Sequence, residues 1–171
     1  LADLLRAHVA FASGFGRDAP PLLAKAAPQM EGFNAELARQ TYLIAWVATV
    51  FAGQYAGPDD LVRICRTIQA LPPRPGAPRP LDLLLDGLAR LVTDGRAAAA
   101  PILQRAAKAL TGIPAGDVLR WGWAATAATD ATWDPEGTRV IAEWQSKLFR
   151  QVGALAQLPI PLAALGQVAS W

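Results

Sequence analysis

The chain is poor in the side chains that most often carry metal, redox and acid–base chemistry. Its one histidine is His8 and its one cysteine is Cys65, and neither has partner residues at metal-ligand spacing. We interpret His8 as a partly buried helical residue and Cys65 as a small core residue. A lone cysteine cannot form an internal disulfide, which is typical of a reducing compartment and predicts a cytoplasmic protein.

Charged residues are also few, at 18% of the chain, and they nearly cancel to a net charge of +2. No basic stripe indicates contact with nucleic acid. The longest strongly apolar run, Tyr42 to Ala52, is shorter than the roughly 20 residues that a membrane-spanning helix needs. We therefore expect neither nucleic acid nor a membrane among the direct partners of this chain.

Catalytic motifs and a start signal are missing as well. The sequence contains no G-x-x-x-x-G-K-[ST] phosphate loop and no nucleophile with a base at catalytic spacing. We expect no catalytic residue, no metal site, no cofactor and no enzymatic activity in this fragment. The first residue is Leu1 rather than Met, and no signal-peptide pattern follows it. We therefore expect an internal fragment of a longer protein.

What the chain does have is apolar residues at helical spacing, most clearly from Leu81 to Leu110. The first stripe contains Leu81, Leu84, Leu85, Leu88, Leu91 and Val92, and the second contains Ile102, Leu103, Ala106 and Leu110. Between them Thr93-Asp94-Gly95 interrupts the pattern, and Gly95 can adopt the left-handed conformation that ends a helix. The stretch predicts two amphipathic helices joined by a short turn, which is a helical hairpin.

Similar alternation of apolar helical stretches and turn residues runs through the rest of the chain, and no strand pattern is present. Asn34 and Asp134 are expected to cap helices, and capping is also the interpretation of Asp59 and Asp60. We predict about nine helices, near residues 1–12, 20–32, 35–54, 60–71, 81–93, 96–110, 117–132, 135–152 and 162–171. The predicted buried side of the helix after Asp134 consists of Val140, Ile141, Trp144, Leu148 and Val152.

Residues 72–80 (PPRPGAPRP) should form an extended connector, because five prolines exclude a helix or a central strand. The connector is either a flexible joint or a link between two helix-pair blocks, and the apolar helices on both sides favour the link. The segment at 16–27 resembles that at 95–107, a separation of two helix pairs of about 40 residues each. We predict one all-α domain over 1–171, built from tetratricopeptide-like antiparallel hairpins in an α-α superhelix.

Aromatic side chains are the candidate binding residues. The candidates are Tyr42, Trp46, Trp121, Trp123 and Trp144. Trp121 and Trp123 are two residues apart and point in different directions from one helix. Packing inside the repeats is one interpretation, and a concave aromatic surface that receives a ligand or peptide is the other. A separate set of acidic residues, Asp130, Asp134 and Glu136, could bind a cation through carboxylate oxygens, although helix capping explains most of these residues.

Several short segments share the pattern of one family. They are 11–13 (FAS), 18–23 (DAPPLL), 41–43 (TYL), 51–53 (FAG), 83–88 (LLLDGL), 119–121 (LRW) and 133–134 (WD). In these segments the chain resembles the helical region of large ATP-binding LuxR-type transcriptional regulators of actinobacteria. Their layout is similar to that of the maltose-regulator class of signal-transduction NTPases. The resemblance extends over nearly the whole chain.

The resemblance implies a tetratricopeptide-like region between a nucleotide-binding module and a helix-turn-helix module. It transfers no catalytic or DNA-contacting residue, since neither module is encoded here. We expect a sensory or protein-interaction domain that binds an inducer or partner protein. The alternatives are a structural scaffold that self-associates and, less favoured, an all-α enzyme.

Overall fold

The computed structural model describes residues 5–6, 9, 18–57, 59–73 and 76–170, with the side chains of all of these except 115 and 120–124. Contacts between residues divide the chain into two compact units, residues 1–76 and 77–171. The division falls within the proline-rich segment 72–80. Of the first predicted helix, Leu5, Arg6 and Val9 are described, and all three are helical. The rest of that helix, with His8, lies outside the described residues.

Besides the helical residues Leu5, Arg6 and Val9, eight α-helices and two short 3₁₀ helices form the regular structure of the described residues, which include no strand. The α-helices are α1 (Ala19–Glu31), α2 (Ala35–Ala52), α3 (Asp60–Ala70), α4 (Pro80–Thr93), α5 (Arg96–Leu110), α6 (Ala115–Thr132), α7 (Pro135–Gln151) and α8 (Pro159–Ala169), and the 3₁₀ helices are Gly53–Tyr55 and Leu155–Gln157. The all-α prediction is confirmed. Over the same residues, no helix combines the length and hydropathy required to cross a membrane.

In the first unit, α1 and α2 form a helical hairpin, and α3 packs on α2. The hairpin turn ends at Asn34, whose side chain accepts a hydrogen bond from the Leu37 N–H at 3.0 Å. This confirms the predicted helix cap. A small apolar core lies beside the turn, where Ala26 and Met30 of α1 meet Ala38 of α2. The first turns of α2 are therefore fixed by both a cap and a buried contact.

In the second unit, α4 and α5 form the hairpin predicted from the apolar pattern of residues 81–110. Gly95 lies between them with φ of +87°, a conformation that glycine adopts without strain. Leu84, Leu88 and Leu103 are fully buried in this hairpin. A Cβ atom on Gly87 would lie 2.6 Å from Leu103 Cδ2, so glycine allows the two helices to approach closely.

The remaining helices of the second unit pack consecutively, α5 on α6, α6 on α7 and α7 on α8. Additional contacts join α4 to α6 and α6 to α8. The first helix of each hairpin therefore contacts the first helix of the next one. Consecutive packing of this kind buries the apolar face that each hairpin leaves uncovered.

Three helix starts differ from the predicted boundaries because proline is compatible with the first turn of a helix. Pro80 belongs to α4 rather than to the connector, and its helix starts after Arg79, whose N–H donates to Asp82. Pro159 begins α8, three residues before the predicted Leu162. The third start is Ala115, because the carbonyl of Pro114 already accepts helical hydrogen bonds from Asp117 and Val118.

The predicted buried side of α7 was partly wrong. Ile141 is buried, but Val140 and Val152 are exposed, and Trp144 and Leu148 are only half-buried. The buried side instead includes three polar residues, Thr138, Gln145 and Ser146. The helix is rotated relative to the prediction because these polar side chains are buried. A pattern of apolar residues alone cannot predict which polar residues will be buried.

Candidate functional site

Tyr42 lies on α2 and is almost completely buried. Its hydroxyl donates a hydrogen bond to Glu31 Oε1 at 2.6 Å. Burial raises the pKa of Tyr42 above its usual value, and the hydrogen bond and negative charge of Glu31 raise this pKa further. The Tyr42 hydroxyl therefore stays protonated, and its hydrogen bond to Glu31 links the end of α1 to the middle of α2.

Trp46 lies one helical turn beyond Tyr42 and is half-buried. Its Nε1 atom is buried without a hydrogen-bond partner in the part of the chain that the structure describes. Nearby, Cys65 of α3 is fully buried, and burial raises its pKa to about 11. The thiol is therefore protonated at neutral pH, as expected for a core cysteine.

The other three candidate aromatics belong to the second unit. Trp144 lies on α7 and is half-buried, while Trp121 and Trp123 lie on α6 with side chains outside the described set. Helices α6 and α7 pack against each other. The structure thus places Tyr42 and Trp46 on one helix and the other three on two adjoining helices. A concave aromatic surface built from them stays a prediction.

A more accessible site surrounds the turn that follows α2. Two concavities of about 500 and 610 Å³ adjoin this turn and share Gln54, Ala56 and Gly57 as lining residues. Pro20, Pro21, Tyr55 and Asp60 complete the lining of the first, and Thr49, Val50, Gly53 and Leu61 complete that of the second. Together they form an indented surface between the end of α2 and the starts of α1 and α3.

Large apolar side chains are exposed at this turn. Tyr55 is 64% exposed, Phe51 is 62% exposed, and Val50 is also exposed. We call Val50, Phe51 and Tyr55 the α2-end apolar cluster. Val50 and Phe51 belong to the apolar run Tyr42–Ala52 of the helix predicted near residues 35–54, whereas no role was predicted for Tyr55. The sequence feature that could have indicated Tyr55 is an aromatic residue in a short segment bounded by two glycines, Gly53 and Gly57.

The turn is held by the carboxylate of Asp60. One oxygen accepts a hydrogen bond from the Gly57 N–H at 2.8 Å, and the other contacts the Arg63 guanidinium. Asp59, at the N-cap position, makes no side-chain capping bond. The prediction that both acids cap the helix is therefore wrong: Asp59 makes no capping bond, and Asp60 accepts the N–H of Gly57, which belongs to the loop before the helix. A fixed turn keeps the α2-end apolar cluster in one orientation.

A buried polar seam, formed by Thr126, Thr129, Thr138 and Gln145, lies between α6 and α7. The Thr138 hydroxyl lies 2.9 Å from Thr129 Oγ1, which donates to the Thr126 carbonyl at 3.0 Å. The Thr126 hydroxyl in turn faces Gln145 Oε1 at 3.5 Å. Ser146 Oγ is buried and has no hydrogen-bond partner among the described residues.

Asp130, Asp134 and Glu136, considered as a cation site, have separate roles. Asp134 caps α7 by accepting the Gly137 N–H at 2.8 Å, as predicted. Burial raises the pKa of Asp130, although a hydrogen bond from Thr138 opposes this. Hydrogen bonding and charge from Arg139 lower the pKa of Glu136. In the described part of the chain, no three His, Cys, Asp or Glu residues are grouped to hold a metal ion.

An exposed aromatic–cation pair lies where α6 meets α7. The Arg96 guanidinium carbon is 5.4 Å from the centroid of the Trp133 ring, within the range of a cation–π interaction. Trp133 has a φ of +55°, the one positive φ of a non-glycine residue in the described chain. The pair joins the start of α5 to the turn before α7.

No protein-family model, curated protein or solved structure matches this chain.

Proposed function

We propose that the chain is a helical-repeat sensory or protein-interaction domain of a LuxR-type transcriptional regulator. It binds an inducer or a partner protein in the cytoplasm and relays that event to nucleotide-binding and DNA-binding modules encoded outside this chain. The resemblance of its sequence segments to that family motivates the assignment to a regulator. The all-α architecture agrees with it.

The packing order of the second unit supports tetratricopeptide-like repeats. Consecutive helices pair as hairpins, and α4, α6 and α8 contact one another in sequence. In repeat arrays, the first helices of neighbouring hairpins pack together in the same manner and leave extended surfaces for ligands. The hairpin of α1 and α2, followed by α3 on α2, is a shorter version of this order.

The observation that carries the binding role is the α2-end apolar cluster beside the two concavities. Its exposed aromatic rings belong to the last turn of α2 and to the turn that follows, which Asp60 fixes by accepting the Gly57 N–H. Aromatic side chains are enriched at binding hot spots because they bury large areas with few rotatable bonds. The cluster fits an apolar segment of a partner protein or an apolar inducer.

The experiment replaces Phe51 and Tyr55 together by Ser in the full-length regulator and measures genome-wide transcription in the source organism. We expect the double variant to lose most of the regulator-dependent transcription, to the level of a deletion strain. The matched control is Phe33→Ser, because Phe33 is 87% exposed but lines neither concavity. Unchanged transcription in a folded, normally abundant double variant would overturn the proposal.

The assignment to the family has a separate test, the gene sequence on both sides of this chain. A phosphate loop encoded upstream and a helix-turn-helix encoded downstream are expected. A gene with neither module would refute the role in a transcriptional regulator.

A structural scaffold that self-associates is the second candidate function. Exposed apolar residues at the end of the second unit favour it, among them Val152, Leu155, Ile160 and Leu162. This alternative requires only that two copies meet, and it assigns no inducer.

A further inference from the structure

Trp133 is an exposed tryptophan in a backbone conformation that favours glycine. It ends α6 with a φ of +55° and is 65% exposed. The turn needs this left-handed conformation, because it lets the N–H groups of Trp133 and Asp134 bond the carbonyls of Asp130 and Thr129. Glycine adopts it without strain, whereas tryptophan does not. The turn therefore requires the conformation but not the ring, and burial does not account for the ring either.

The Trp133 ring is accompanied by a cation from another helix. Arg96, the first residue of α5, is exposed, and its guanidinium carbon lies 5.4 Å from the ring centroid. Arg63, Arg90 and Arg139 each pair with a carboxylate on their own helix. Arg96 pairs with no carboxylate in the described part of the chain. Its planar set of N–H donors, which matches the shape of a carboxylate, is therefore available beside the ring.

The exposed side of α5 carries positive charge only. Arg105 and Lys108 are exposed on this helix, which contains no Asp or Glu. Among the described residues, neither of the two is paired with a carboxylate. At 1.5 Å per residue they lie about 14–18 Å along α5 from Arg96, a distance that an extended segment of about five residues covers. The exposed side of α5 thus fits acidic side chains spaced along one extended segment.

The chemistry of this surface favours a protein as its partner. Tryptophan and arginine are among the residue types enriched at the hot spots of protein interfaces. A small molecule needs a concave site that buries most of its surface, whereas the Trp133 ring is mostly exposed to solvent. A nucleic acid is not favoured, because the whole chain has a net charge of only +2.

We propose that Trp133, Arg96, Arg105 and Lys108 form a docking surface for an acidic segment of a partner protein. We call these four residues the α5 docking surface. An apolar side chain of the segment packs against the Trp133 ring, a neighbouring carboxylate binds the Arg96 guanidinium, and further carboxylates lie near Arg105 and Lys108. This inference goes beyond the proposed function, because the α5 docking surface belongs to the second unit and the α2-end apolar cluster to the first.

The test measures the binding of fluorescein-labelled 12-residue peptides to the 171-residue chain by fluorescence anisotropy. The probe repeats Glu-Glu-Phe four times, and two comparison peptides replace every Phe by Ser or every Glu by Lys. Trp133→Gly removes the ring and keeps the left-handed turn, and Arg96→Gln removes the cation. Arg66→Gln is the matched control, because Arg66 is exposed on a helix of the first unit and also lacks a carboxylate partner among the described residues. Circular dichroism spectra check that all variants are equally helical.

We expect the Glu-Glu-Phe probe to bind with a dissociation constant about tenfold or more below that of either comparison peptide. Trp133→Gly should raise this constant about tenfold or more, Arg96→Gln should raise it about two- to fivefold, and Arg66→Gln should leave it unchanged. A probe that binds no better than the comparison peptides would overturn the proposal, and so would equal binding by Trp133→Gly. Tighter binding of a 12-base-pair DNA duplex, weakened by Arg96→Gln but not by Trp133→Gly, would overturn it in favour of a nucleic acid.

Discussion

Two helix–helix interfaces of the second unit are built on different chemistry. The α4–α5 interface is apolar and close-packed, with fully buried leucines and a glycine at the nearest approach. The α6–α7 interface contains the polar seam of three threonines and a glutamine. The first interface gains most from apolar burial, whereas the second depends on hydrogen bonds between its polar side chains. One unit therefore combines a strongly specified apolar hairpin with one whose stability depends on pairs of polar groups.

The largest expected effect is at the apolar interface. Leu103→Ala should lower the free energy of unfolding by about 2–5 kcal/mol, because it removes buried methyl groups and leaves a cavity. Urea denaturation followed by circular dichroism measures the loss. Val140→Ala on the exposed side of α7 is the control and should change the stability by less than about 0.5 kcal/mol. Equal effects at the two positions would contradict the burial assigned to them.

The next effect is at the polar seam. Thr138→Val should lower the free energy of unfolding by about 1–3 kcal/mol, since the Thr129 hydroxyl loses its hydrogen bond with Thr138. The double variant Thr129→Val/Thr138→Val should recover part of that loss, because matched apolar groups replace both hydroxyls, whereas Asp130 still lacks the hydrogen bond from Thr138. A double-mutant cycle by urea denaturation measures the coupling. Strictly additive losses would show that the two hydroxyls do not act as a pair.

A loss of similar or smaller size is expected in the first unit at the buried Tyr42. Tyr42→Phe keeps the ring but removes the hydrogen bond to Glu31, which should cost about 1–2 kcal/mol. Glu31→Gln serves as the companion variant, since its neutral amide oxygen still accepts the bond and should cost less. The melting temperatures of the two variants check the order. A Tyr42→Phe protein as stable as the wild type would show that ring burial alone holds this contact.

The smallest effect should have the opposite sign. Ser146→Ala removes a buried hydroxyl that has no partner among the described residues, so it should leave the stability unchanged or raise it by up to about 1 kcal/mol. Differential scanning calorimetry can resolve this shift. A clear loss of stability would mean that the Ser146 hydroxyl is bonded, for example through a buried water molecule.

The same contrast explains how much could be predicted from the sequence. The α4–α5 hairpin was predicted because its leucines follow the helical period and Gly95 marks the turn. The caps at Asn34 and Asp134 were predicted because their side chains satisfy free N–H groups at helix starts. The rotation of α7 was not, since Thr138 and Gln145 have no apolar signal and become internal by pairing with Thr129 and Thr126 of α6.

The aromatic binding surface stays a prediction. In the structure Tyr42 is buried and hydrogen-bonded between two helices, and Trp46 is half-buried near Cys65. A helical pattern cannot tell a core aromatic from a surface one when the helix is apolar on several sides. Phe51 in the last turn of α2 and Tyr55 after it are exposed, and this exposure is seen only in the three-dimensional structure.

The proposed function requires the α2-end apolar cluster to contact a partner in the cell. The sharpest test places the photo-crosslinking residue p-benzoylphenylalanine at position 55 of the full-length protein in living cells, and at position 33 as the control. We expect one discrete cross-linked product from position 55, formed under the conditions that change transcription, and none from position 33. The absence of any product at position 55, or the same products from both positions, would contradict it.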